Sequence, residues 1–568
     1  MLEVLHRSQT ARVCELKIKE SVLRTPSILS YLGENQIDEE GTLTVEGMTR
    51  TINLFGMKLS TDSFIAPPKS SREQGIIIDY PGLDEAASIR IPLPEDIRCL
   101  KDKEFLVLEN AFELRNDPRR TVEVFSRLRK ELGFSPIIYA SGIAEPSNMA
   151  LLSYLGVDIF DDVIGVLKAK TGSILTSSGE IAPPSQIAQD IKVSEYNKQE
   201  YARELLLIRE FIVKGRLREL VDMRAPTNPW AVAVLRLYDD QSYDLAEERC
   251  PIVGSKMACN TTQSLNRPEI KRFRNKIMTE YRPPEHKRVL VLLPCSAKKP
   301  YSLSKTHKMF TSAIRTADHD TLVHEVIITS PLGVVPRELE TFYPANAYDI
   351  PVTGEWKAEE KAFIRDMLAR LLENGYEKVI CHLGDGYEFL QDLADMTNTV
   401  IGGTTSPASL QLLDSTLREV TTEMPRAAYQ TDRMNTMASI LRFQFGIAAE
   451  HIIPDAHVTG KYPYWKLFSG TDQLGMLTPE RGMVSLTLEG GELLMKSGSK
   501  IVEIQDFILK GNLFAVGVID ADPAIRIGDE VVVCFDGNLR GVGVAMMPGT
   551  DMKEQKRGIA VKIRHKSK

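Results

Sequence analysis

Short apolar runs alternate with amphipathic stretches through the first half of the chain. FLVLEN (105–110) and SPIIYASG (135–142) have the continuous apolar character of buried strands, and the stretches 119–132 and 200–220 have helical spacing. This alternation is typical of α/β units with a parallel sheet. The pattern predicts a first α/β domain over residues 1–275.

The pattern changes after PPEHK (283–287), which has the composition of a linker. VLVLLP (289–294) then predicts a strand buried on both faces, and the strand and helix patterns after it predict a second α/β domain over 281–425. A helical pattern (432–446) followed by the alternating run MVSLTLEGGELLM (483–495) predicts a small α+β module over 428–496.

The last segment, 498–568, contains four short strand patterns separated by turn residues. The strands are LFAVGVID, EVVVCF, VGVAMM and GIAVKI, and Asp536-Gly537 and Pro548-Gly549 supply turns. A small β-barrel is the expected fold. The chain as a whole is therefore expected to be a multidomain α/β protein with a C-terminal β-barrel.

Composition agrees with several globular domains. The chain has 568 residues, of which 43% are hydrophobic and 26% charged, so disordered and coiled-coil classes are disfavoured. No window approaches 18 uninterrupted apolar residues and the N-terminus is charged, so we expect a cytoplasmic protein without a membrane span. The seven cysteines are scattered without CxxC spacing, which disfavours a disulfide framework and a ribbon-type zinc site and predicts reduced thiols. We expect no metal and no cofactor in this chain.

The charge is polarised. A net charge of -7 excludes a protein that coats polyanions with its whole surface, yet the end of the chain is basic. Clustered cations suit phosphate contacts, although a solvated face is the alternative. The predicted RNA-binding residues are Lys556, Arg557, Lys562, Arg564 and His565.

Two resemblances extend this picture. IRIGDEVVVCFDGNLRGVGVAMM with KRGIAVKIRHK resembles the PUA domain, a small RNA-binding barrel of tRNA- and rRNA-modifying enzymes. Residues 136–162, with 213–230 and 264–274, resemble the tRNA-guanine transglycosylase family, which implies a TIM-type barrel over 1–275.

The first domain departs from the transglycosylase pattern in its chemistry. The family exchanges a base through an aspartate nucleophile and holds zinc with three cysteines and one histidine. Here PPKSSREQG (67–75) stands near where a DSGGFQ-type stretch is expected, no cysteine lies between Cys99 and Cys250, and no histidine between His6 and His286. Base exchange is therefore disfavoured, and what the resemblance retains is a barrel mouth for a flipped nucleotide and a surface for tRNA.

The run from Pro294 to His307 concentrates reactive side chains directly after the strand VLVLLP. Ligands of α/β sheets bind beyond the carboxyl ends of strands, and a helix capped by Ser304 would present its N-terminus there and lower the pKa of a nearby thiol. A buried structural cysteine is the alternative. The candidate catalytic residues are Cys295, Ser296, Lys299, Tyr301, Ser304 and His307.

This run carries every fixed letter of PCSxxKPYxxSxxH, the signature of the archaeosine synthase alpha-subunit family, and the order of modules agrees. The resemblance implies action on tRNA whose guanine 15 has been replaced by 7-cyano-7-deazaguanine. It implies that free lysine, or glutamine in an older description, donates nitrogen to the nitrile to give an amidine. A radical SAM partner subunit would then cleave the lysine part away; a homo-oligomer is left open.

The residues leave two features of the reaction open: how the nitrile is attacked, and which side chains transfer protons. A Cys295 thiolate could add to the nitrile to give a thioimide that an amine displaces, or the amine could add directly. Direct addition needs a base, for which His307 is the candidate, while Tyr301 or Lys299 would protonate the nitrile nitrogen. Both routes predict that the loop faces solvent and substrate.

A second cluster, from Ser330 to Trp356, also begins at the end of an apolar strand. An arginine suits the carboxylate of an amino acid and an acidic side chain suits its α-amine, although helix capping and aromatic packing are the alternative. The predicted substrate-binding residues are Ser330, Gly333, Arg337, Glu338, Tyr348 and Asp349. A non-catalytic tRNA-binding scaffold is the rival to an enzyme, and the intact motif favours the enzyme.

Overall fold

The computed structural model describes residues 2–18, 21–29, 86–254, 256–316, 319–352 and 355–567, together with the backbone of four short strands between residues 52 and 76. The stretch 67–74, where the sequence departs from the transglycosylase pattern, lies outside the described residues. The chain forms two compact units. The first comprises Met1–Cys250, Phe514–Val516 and Thr550–Ile559, and the second comprises Pro251–Leu513, Gly517–Gly549 and Ala560–Lys568.

The first unit is built on a five-stranded parallel sheet. In spatial order its strands are Ser27–Leu29, Ile159–Asp161, Ile137–Ala140, Phe105–Leu108 and Ala86–Ile89. Strands 105–108 and 137–140 are buried at every position, as parallel strands covered on both faces are. This confirms the mixed α/β class, whereas the described strands do not form a closed eight-stranded ring, and the TIM-type barrel stays a prediction.

Helices alternate with these strands for local reasons. The helix predicted at 119–132 spans Pro118–Leu132, because the Asp117 side chain accepts a hydrogen bond from the Arg120 amide and Pro118 occupies the first turn. The stretch 200–220 is two helices, since Gly215 has a φ of 66° between them. The other helices of the unit are Met149–Tyr154, Val163–Lys170, Gln186–Gln189, Val193–Val213, Leu217–Arg224, Pro229–Gln241 and Tyr243–Arg249.

Smaller antiparallel sheets complete the first unit. One has three strands, Leu2–Ser8, Ala11–Ile18 and Ser21–Thr25, and a hairpin joins Ile174–Thr176 to Gly179–Ile181. The four short strands are Ile52–Leu54, Met57–Leu59, Phe64–Ile65 and Gly75–Ile76. Among the helices in the described ranges, none has the length and apolar character that a bilayer span requires.

The second unit contains its own five-stranded sheet. The order is Gly333–Pro336, Val323–Thr329, Val289–Pro294, Lys378–Cys381 and Met396–Asn398, parallel except for the antiparallel edge strand 333–336. A short parallel pair joins Met257–Ala258 to Tyr348–Asp349. The helices are Pro268–Thr279, Lys305–Arg315, Ala358–Leu372 and Pro407–Thr421.

This unit begins upstream of the linker predicted at 283–287. Helix Pro268–Thr279 buries Ile270, Phe273 and Ile277 in the same core as the sheet, so the chain joins the second unit before the linker is reached. An amphipathic helix belongs to the unit whose core buries its apolar face, so this helix is part of the second unit although it precedes the linker.

The small module packs on that core too. Helix Tyr429–Phe445 lies with an antiparallel sheet of Ala456–Thr459, Lys466–Ser469, Asp472–Thr478 and Met483–Leu486. Only the start of MVSLTLEGGELLM is strand, since Thr487 caps a helix over Leu488–Lys496 by accepting a hydrogen bond from Gly490 N at 3.3 Å.

The C-terminal sheet has six strands. Their order is Leu513–Phe514, Ile559–Lys566, Asn538–Ala545, Glu530–Phe535, Ile501–Ile504 and Val518–Ala521, with a helix at Gly549–Glu554. The turn predicted at Asp536-Gly537 is confirmed, because both residues have positive φ, at 47° and 71°, as a tight hairpin requires.

Candidate active site

The motif loop, residues 295–304, leaves the central strand of the second unit's sheet. Strand Val289–Pro294 runs parallel to Val323–Thr329 on one side and Lys378–Cys381 on the other, so the carboxyl ends of all three strands meet at one edge. Cys295 is half-buried, and Ala297 and Lys298 are exposed. The loop is therefore at the surface, where a substrate can reach the thiol.

Two hydrogen bonds fix the end of the loop. Ser304 begins helix Lys305–Arg315, its side chain accepting from the His307 amide at 3.1 Å, which confirms the predicted cap. The Ser302 amide donates to Glu340 Oε2 at 2.9 Å. Ser304 thus has a structural role, and the helix N-terminus lies at the motif loop.

Lys299 is the side chain of the motif loop whose surroundings best suit a proton donor. Its Nζ lies 3.9 Å from the centre of the Tyr348 ring and donates to the Ser296 carbonyl at 3.3 Å. Burial lowers the pKa of Lys299, with Cys295 and Asp349 opposing that shift. The amine can therefore give up its proton more readily than a solvated lysine.

Tyr301 packs in the core beneath the motif loop and holds a hydroxyl network there. It is fully buried, and its hydroxyl lies 2.6 Å from the hydroxyl of Tyr348, which also bonds to Thr329 Oγ1. Burial raises the pKa of both tyrosines. The prediction that Tyr301 protonates the nitrile does not fit this position, because its proton is held inside the core. Ser296 is half-buried and donates to the Lys298 carbonyl at 3.1 Å, which shapes the loop.

His307 does not have the surroundings of a general base. Its ring is fully buried and its Nδ1 accepts from the Arg337 guanidinium at 2.8 Å. Burial, reinforced by the charge of Arg337, lowers the pKa of His307 to about 3. The histidine is therefore neutral at physiological pH, and its accepting nitrogen is occupied, so the predicted proton-accepting role is corrected to a packing and positioning role.

The lowered pKa of His307 gives stability a defined pH dependence. The unfolded chain binds a proton near pH 6.5 and the folded chain only near pH 3, so stability is complete above the unfolded value and falls as the pH drops below it. At pH 5 the loss is about 2 kcal/mol relative to pH 8. We expect His307→Gln, which cannot titrate, to reduce this slope in urea unfolding between pH 5 and 8; an unchanged slope would contradict the assignment.

Arg337 was predicted to bind a substrate carboxylate, and the structure instead ties it to the protein. Its guanidinium donates to Glu325 Oε2 at 2.7 and 3.0 Å, to Glu340 Oε2 at 2.9 Å and to His307. Two carboxylates already satisfy the fork. Arg337 therefore stabilises helix Lys305–Arg315 and the motif loop, and its predicted contact with a substrate carboxylate is corrected to this structural role.

Glu338 points into a different buried network. Its Oε1 accepts from the Tyr281 hydroxyl at 2.6 Å and lies 3.5 Å from His324 Nε2, whose ring also bonds to Tyr376 at 2.6 Å. Burial alone would raise the pKa of Glu338, but His324 and the Tyr281 hydroxyl lower it. The predicted substrate contact of Glu338 is thus corrected to a buried hydrogen-bond network with Tyr281 and His324.

Ser330 and Gly333 are structural as well. The Ser330 hydroxyl donates to Glu360 at 2.5 Å. Gly333 has a φ of 81°, and a Cβ there would lie 2.4 Å from the sulfur of Met367, so a side chain would strain the backbone and displace Met367. Of the predicted substrate-binding residues, Tyr348 and Asp349 remain beside Lys299.

Asp349 forms an exposed ion pair at the edge of the site. Its carboxylate lies 2.8 Å from Lys256 Nζ, and the two side chains are 49% and 75% exposed. The hydrogen bond from Lys256 lowers the pKa of Asp349. The pair presents one anion and one cation to solvent next to the motif loop.

Three aromatic side chains, Trp356, Tyr387 and Phe389, form a surface of contacting rings, and only Trp356 was noted from the sequence. The ring centres of Trp356 and Tyr387 lie 5.3 Å apart, and those of Tyr387 and Phe389 lie 6.4 Å apart. All three side chains are partly exposed. Burial raises the pKa of Tyr387, and the nearby Cys295 and Cys381 raise it further. The signal that could have found this surface is the LGDGYEF stretch after strand Lys378–Cys381.

The first unit holds a buried carboxyl group that the sequence analysis did not single out. Asp161 ends strand Ile159–Asp161, and its carboxylate accepts from the Tyr139 hydroxyl and the Gly142 amide, both at 2.7 Å. Burial raises the pKa of Asp161 to about 7, although these donors oppose the shift. The sequence feature that could have revealed this carboxyl group is the pair Asp161-Asp162 at the end of an apolar strand pattern.

The predicted RNA-binding residues are dispersed. Lys562 and His565 are exposed on strand Ile559–Lys566, whereas Arg564 is partly buried against Glu530. Lys556 is exposed and Arg557 half-buried, and both belong to the first compact unit. Arg564 is therefore corrected from a free phosphate contact to a paired side chain.

Two family models match this chain. A model described as a domain of unknown function, DUF5591, matches residues 270–417, which contain the motif loop, and a PUA domain model matches residues 502–566. The second match confirms the PUA domain predicted at the C-terminal end.

Similar proteins cover the whole chain. The archaeosine synthase subunit alpha of Methanosarcina acetivorans is 36% identical, over 100% of this chain and 99% of its own length. An archaeosine synthase of Haloferax volcanii is 31% identical over 99% and 98%. A tRNA-guanine(15) transglycosylase of Methanobrevibacter smithii is 24% identical over 74% of this chain and 65% of its own. The chain therefore belongs to the archaeosine synthase alpha-subunit family.

Proposed function

We propose that the chain modifies tRNA in archaeosine biosynthesis, adding an amine to the nitrile of 7-cyano-7-deazaguanine at position 15 to give an amidine. The observation that carries the proposal is that half-buried Cys295 and partly desolvated Lys299 lie in one loop at the carboxyl edge of the sheet. A scaffold has no use for a half-buried thiol and a desolvated amine at one edge, and the relatives' name supports the enzyme.

The reaction balances through two additions. The Cys295 thiolate adds to the nitrile carbon while the Lys299 ammonium gives a proton to the nitrile nitrogen, forming a thioimide. The donor amine then adds to the same carbon, the carbon–sulfur bond breaks, and the thiolate leaves. The amine loses one proton, which restores the Lys299 ammonium. No atom is lost, since nitrile plus amine equals amidine.

The aromatic surface of Trp356, Tyr387 and Phe389 supports binding of the flipped base in the second unit. Any planar base can stack on such side chains, because every base has a π-face. Tyr387 lies near Cys295, which raises the pKa of the phenol beyond the effect of burial. The parallel sheet of the first unit and its transglycosylase relatives support a TIM-type barrel there that holds the tRNA.

The exposed pair of Lys256 and Asp349 supports free lysine as the donor. A lysine zwitterion offers a carboxylate to Lys256 and an α-amine to Asp349, so it can replace the pair's internal contact with two new ones. The side-chain amine then extends toward Cys295. The relatives' designation as subunit alpha supports a partner subunit, for which a radical SAM enzyme that removes the lysine part is our proposal.

A labelled-donor assay tests this function. Nitrile-bearing tRNA is incubated with the protein and with isotope-labelled lysine, glutamine or ammonia in separate reactions, and the nucleosides are analysed by mass spectrometry. We expect the mass of one lysine to be added to the nitrile nucleoside. No gain with any donor, despite tRNA binding, would favour a scaffold.

Lys299 should be required for turnover as a proton donor. We expect Lys299→Met to lower kcat by about 10²–10⁴-fold, the usual contribution of a general acid. Lys299→Arg should also be slow, since a guanidinium keeps the charge over Tyr348 but does not release its proton. Single-turnover rates on nitrile-bearing tRNA measure this; full activity in Lys299→Arg would show that only the charge matters.

A further inference from the structure

Tyr348 was predicted to bind substrate, but the structure buries it beneath the motif loop. The residue is 2% exposed, so almost none of its surface is left for a ligand to contact. Its ring instead lies under Lys299, whose Nζ is 3.9 Å from the ring centre, within the range of a cation–π contact. The ring of Tyr301 is farther away, with its centre 5.8 Å from the same nitrogen. The ammonium group is therefore held over the face of the Tyr348 ring.

Hydrogen bonds between hydroxyl groups fix the position of this ring. The Tyr348 hydroxyl lies 2.6 Å from the Tyr301 hydroxyl and also bonds to Thr329 Oγ1. The three residues belong to different elements, since Tyr348 is on its own short strand, Tyr301 is in the motif loop and Thr329 ends strand Val323–Thr329. The ring therefore cannot swing away from Lys299 without breaking hydrogen bonds to two other elements.

Lys299 faces titratable groups from its own loop and from the short pair of strands beside it. These groups are Cys295, Asp349, Cys259 and Lys256. Burial lowers the pKa of Lys299, the first three groups oppose this shift, and the last adds to it. The face of an aromatic ring is negative, so the Tyr348 ring also favours the charged form of the amine.

We infer that Tyr348 positions Lys299 as the proton donor by holding its ammonium group over the ring, an inference that rests on the proposed function. The donor must be charged when the thiolate adds to the nitrile, because the nitrile nitrogen then takes a proton. A partly desolvated lysine needs a compensating contact to stay charged. A ring stabilises the ammonium less than a buried carboxylate would, so the proton can still be transferred.

The test follows the first chemical step alone. It measures, as a function of pH, the rate at which nitrile-bearing tRNA forms the thioimide with Cys295 in the absence of an amine donor. This rate should fall at high pH as Lys299 loses its proton, and Lys299→Arg should abolish that fall. In Tyr348→Phe, which keeps the ring, we expect the midpoint of the fall to stay unchanged. In Tyr348→Met, which removes the ring, the midpoint should move to lower pH by about one unit, the scale of a desolvated cation–π contact.

A second replacement keeps the inference testable if Tyr348→Met folds poorly. Trifluorophenylalanine at position 348, introduced by nonsense suppression, has nearly the shape of phenylalanine but lacks the negative ring face. It should move the midpoint in the same direction. Tyr376→Met is the matched control, since Tyr376 stacks on His324 and precedes strand Lys378–Cys381, at the opposite edge of the sheet from the motif loop.

The outcomes separate this inference from the proposed function. A midpoint that moves with Tyr348→Met and with the fluorinated ring, but not with Tyr348→Phe or Tyr376→Met, supports the inference. An unchanged midpoint in every variant that still forms the thioimide overturns it and leaves the nitrile chemistry intact. An equal shift in Tyr348→Phe or in Tyr376→Met also overturns it, because general disturbance of the core would then explain the result. If the unaltered protein forms no thioimide, the proposed function fails at its first step and the inference with it.

Discussion

Replacing Cys295 with alanine is expected to lower the turnover of nitrile-bearing tRNA by at least about 10³-fold, the scale on which enzymes lose rate with their nucleophile. Without the thiolate, the donor amine must attack the nitrile directly, and His307 cannot deprotonate it because its Nδ1 is occupied and its pKa is about 3. tRNA affinity should stay unchanged, so the loss falls on kcat. Single-turnover kinetics measured by mass spectrometry of the nucleoside provide the readout.

Cys381→Ala is the matched control for this variant. Cys381 ends the neighbouring strand and is a buried free thiol whose pKa burial raises, which makes it a poor nucleophile. We expect its replacement to leave turnover within a few-fold of the unaltered protein. Equal losses in the two variants would point to disturbed packing, and full turnover in Cys295→Ala would remove the thioimide step.

The largest expected loss of stability comes from Asp158 in the first unit. Its carboxylate accepts from Arg12 at 2.9 and 3.0 Å, from Arg129 at 2.6 Å and from the Ile138 amide at 3.0 Å, and all three side chains are at most 3% exposed. Burial alone would raise the pKa of Asp158, but the two arginines lower it. Asp158→Ala would leave two guanidiniums buried without a counter-charge, at a cost of about 3–5 kcal/mol.

Urea unfolding with a probe in the first unit measures this loss, and Trp230 is a suitable reporter once Trp356 and Trp465 of the second unit are replaced by phenylalanine. The control removes a surface pair from the same unit. Glu15 and Arg24 are 32% and 46% exposed, so Glu15→Gln should cost less than about 1 kcal/mol. Equal effects of the two substitutions would refute the account of the buried cluster.

Features set by neighbouring residues could be predicted from the sequence. The strand Val289–Pro294 follows from an unbroken apolar run, and the Ser304 cap from a hydroxyl residue before a helical pattern. The Asp536-Gly537 turn is local in the same sense. Each depends on a few consecutive positions, so the pattern alone determines it.

Features set by distant partners could not. Arg337 has the sequence context of a ligand-binding arginine, but the hairpin of 323–329 and 333–336 brings Glu325 against it. Burial of His307 depends on which face of its helix meets the sheet, which one histidine at a helix start does not reveal. Arg564 was similarly taken as a free cation because its partner Glu530 lies on another strand.

The helix at Leu488–Lys496 shows a third limit. The alternating run MVSLTLEGGELLM is compatible with a longer strand, yet Thr487 caps a helix. Gly490 of this helix lies so close to the preceding strand, Asp472–Thr478, that a Cβ would be 2.0 Å from the Leu474 carbonyl oxygen. Close packing of helix on strand, rather than periodicity, decided the structure. An alternating run that contains glycines is therefore compatible with a helix as well as with a strand.

The most direct measurement is to mix the protein with nitrile-bearing tRNA in the absence of any amine donor, denature the complex, and digest it for mass spectrometry. The account predicts a covalent thioimide adduct in which the former nitrile carbon of the base is attached to the sulfur of Cys295, and the adduct should disappear when lysine is added. An adduct at another residue, or none from a protein that converts the same tRNA once lysine is supplied, would contradict it.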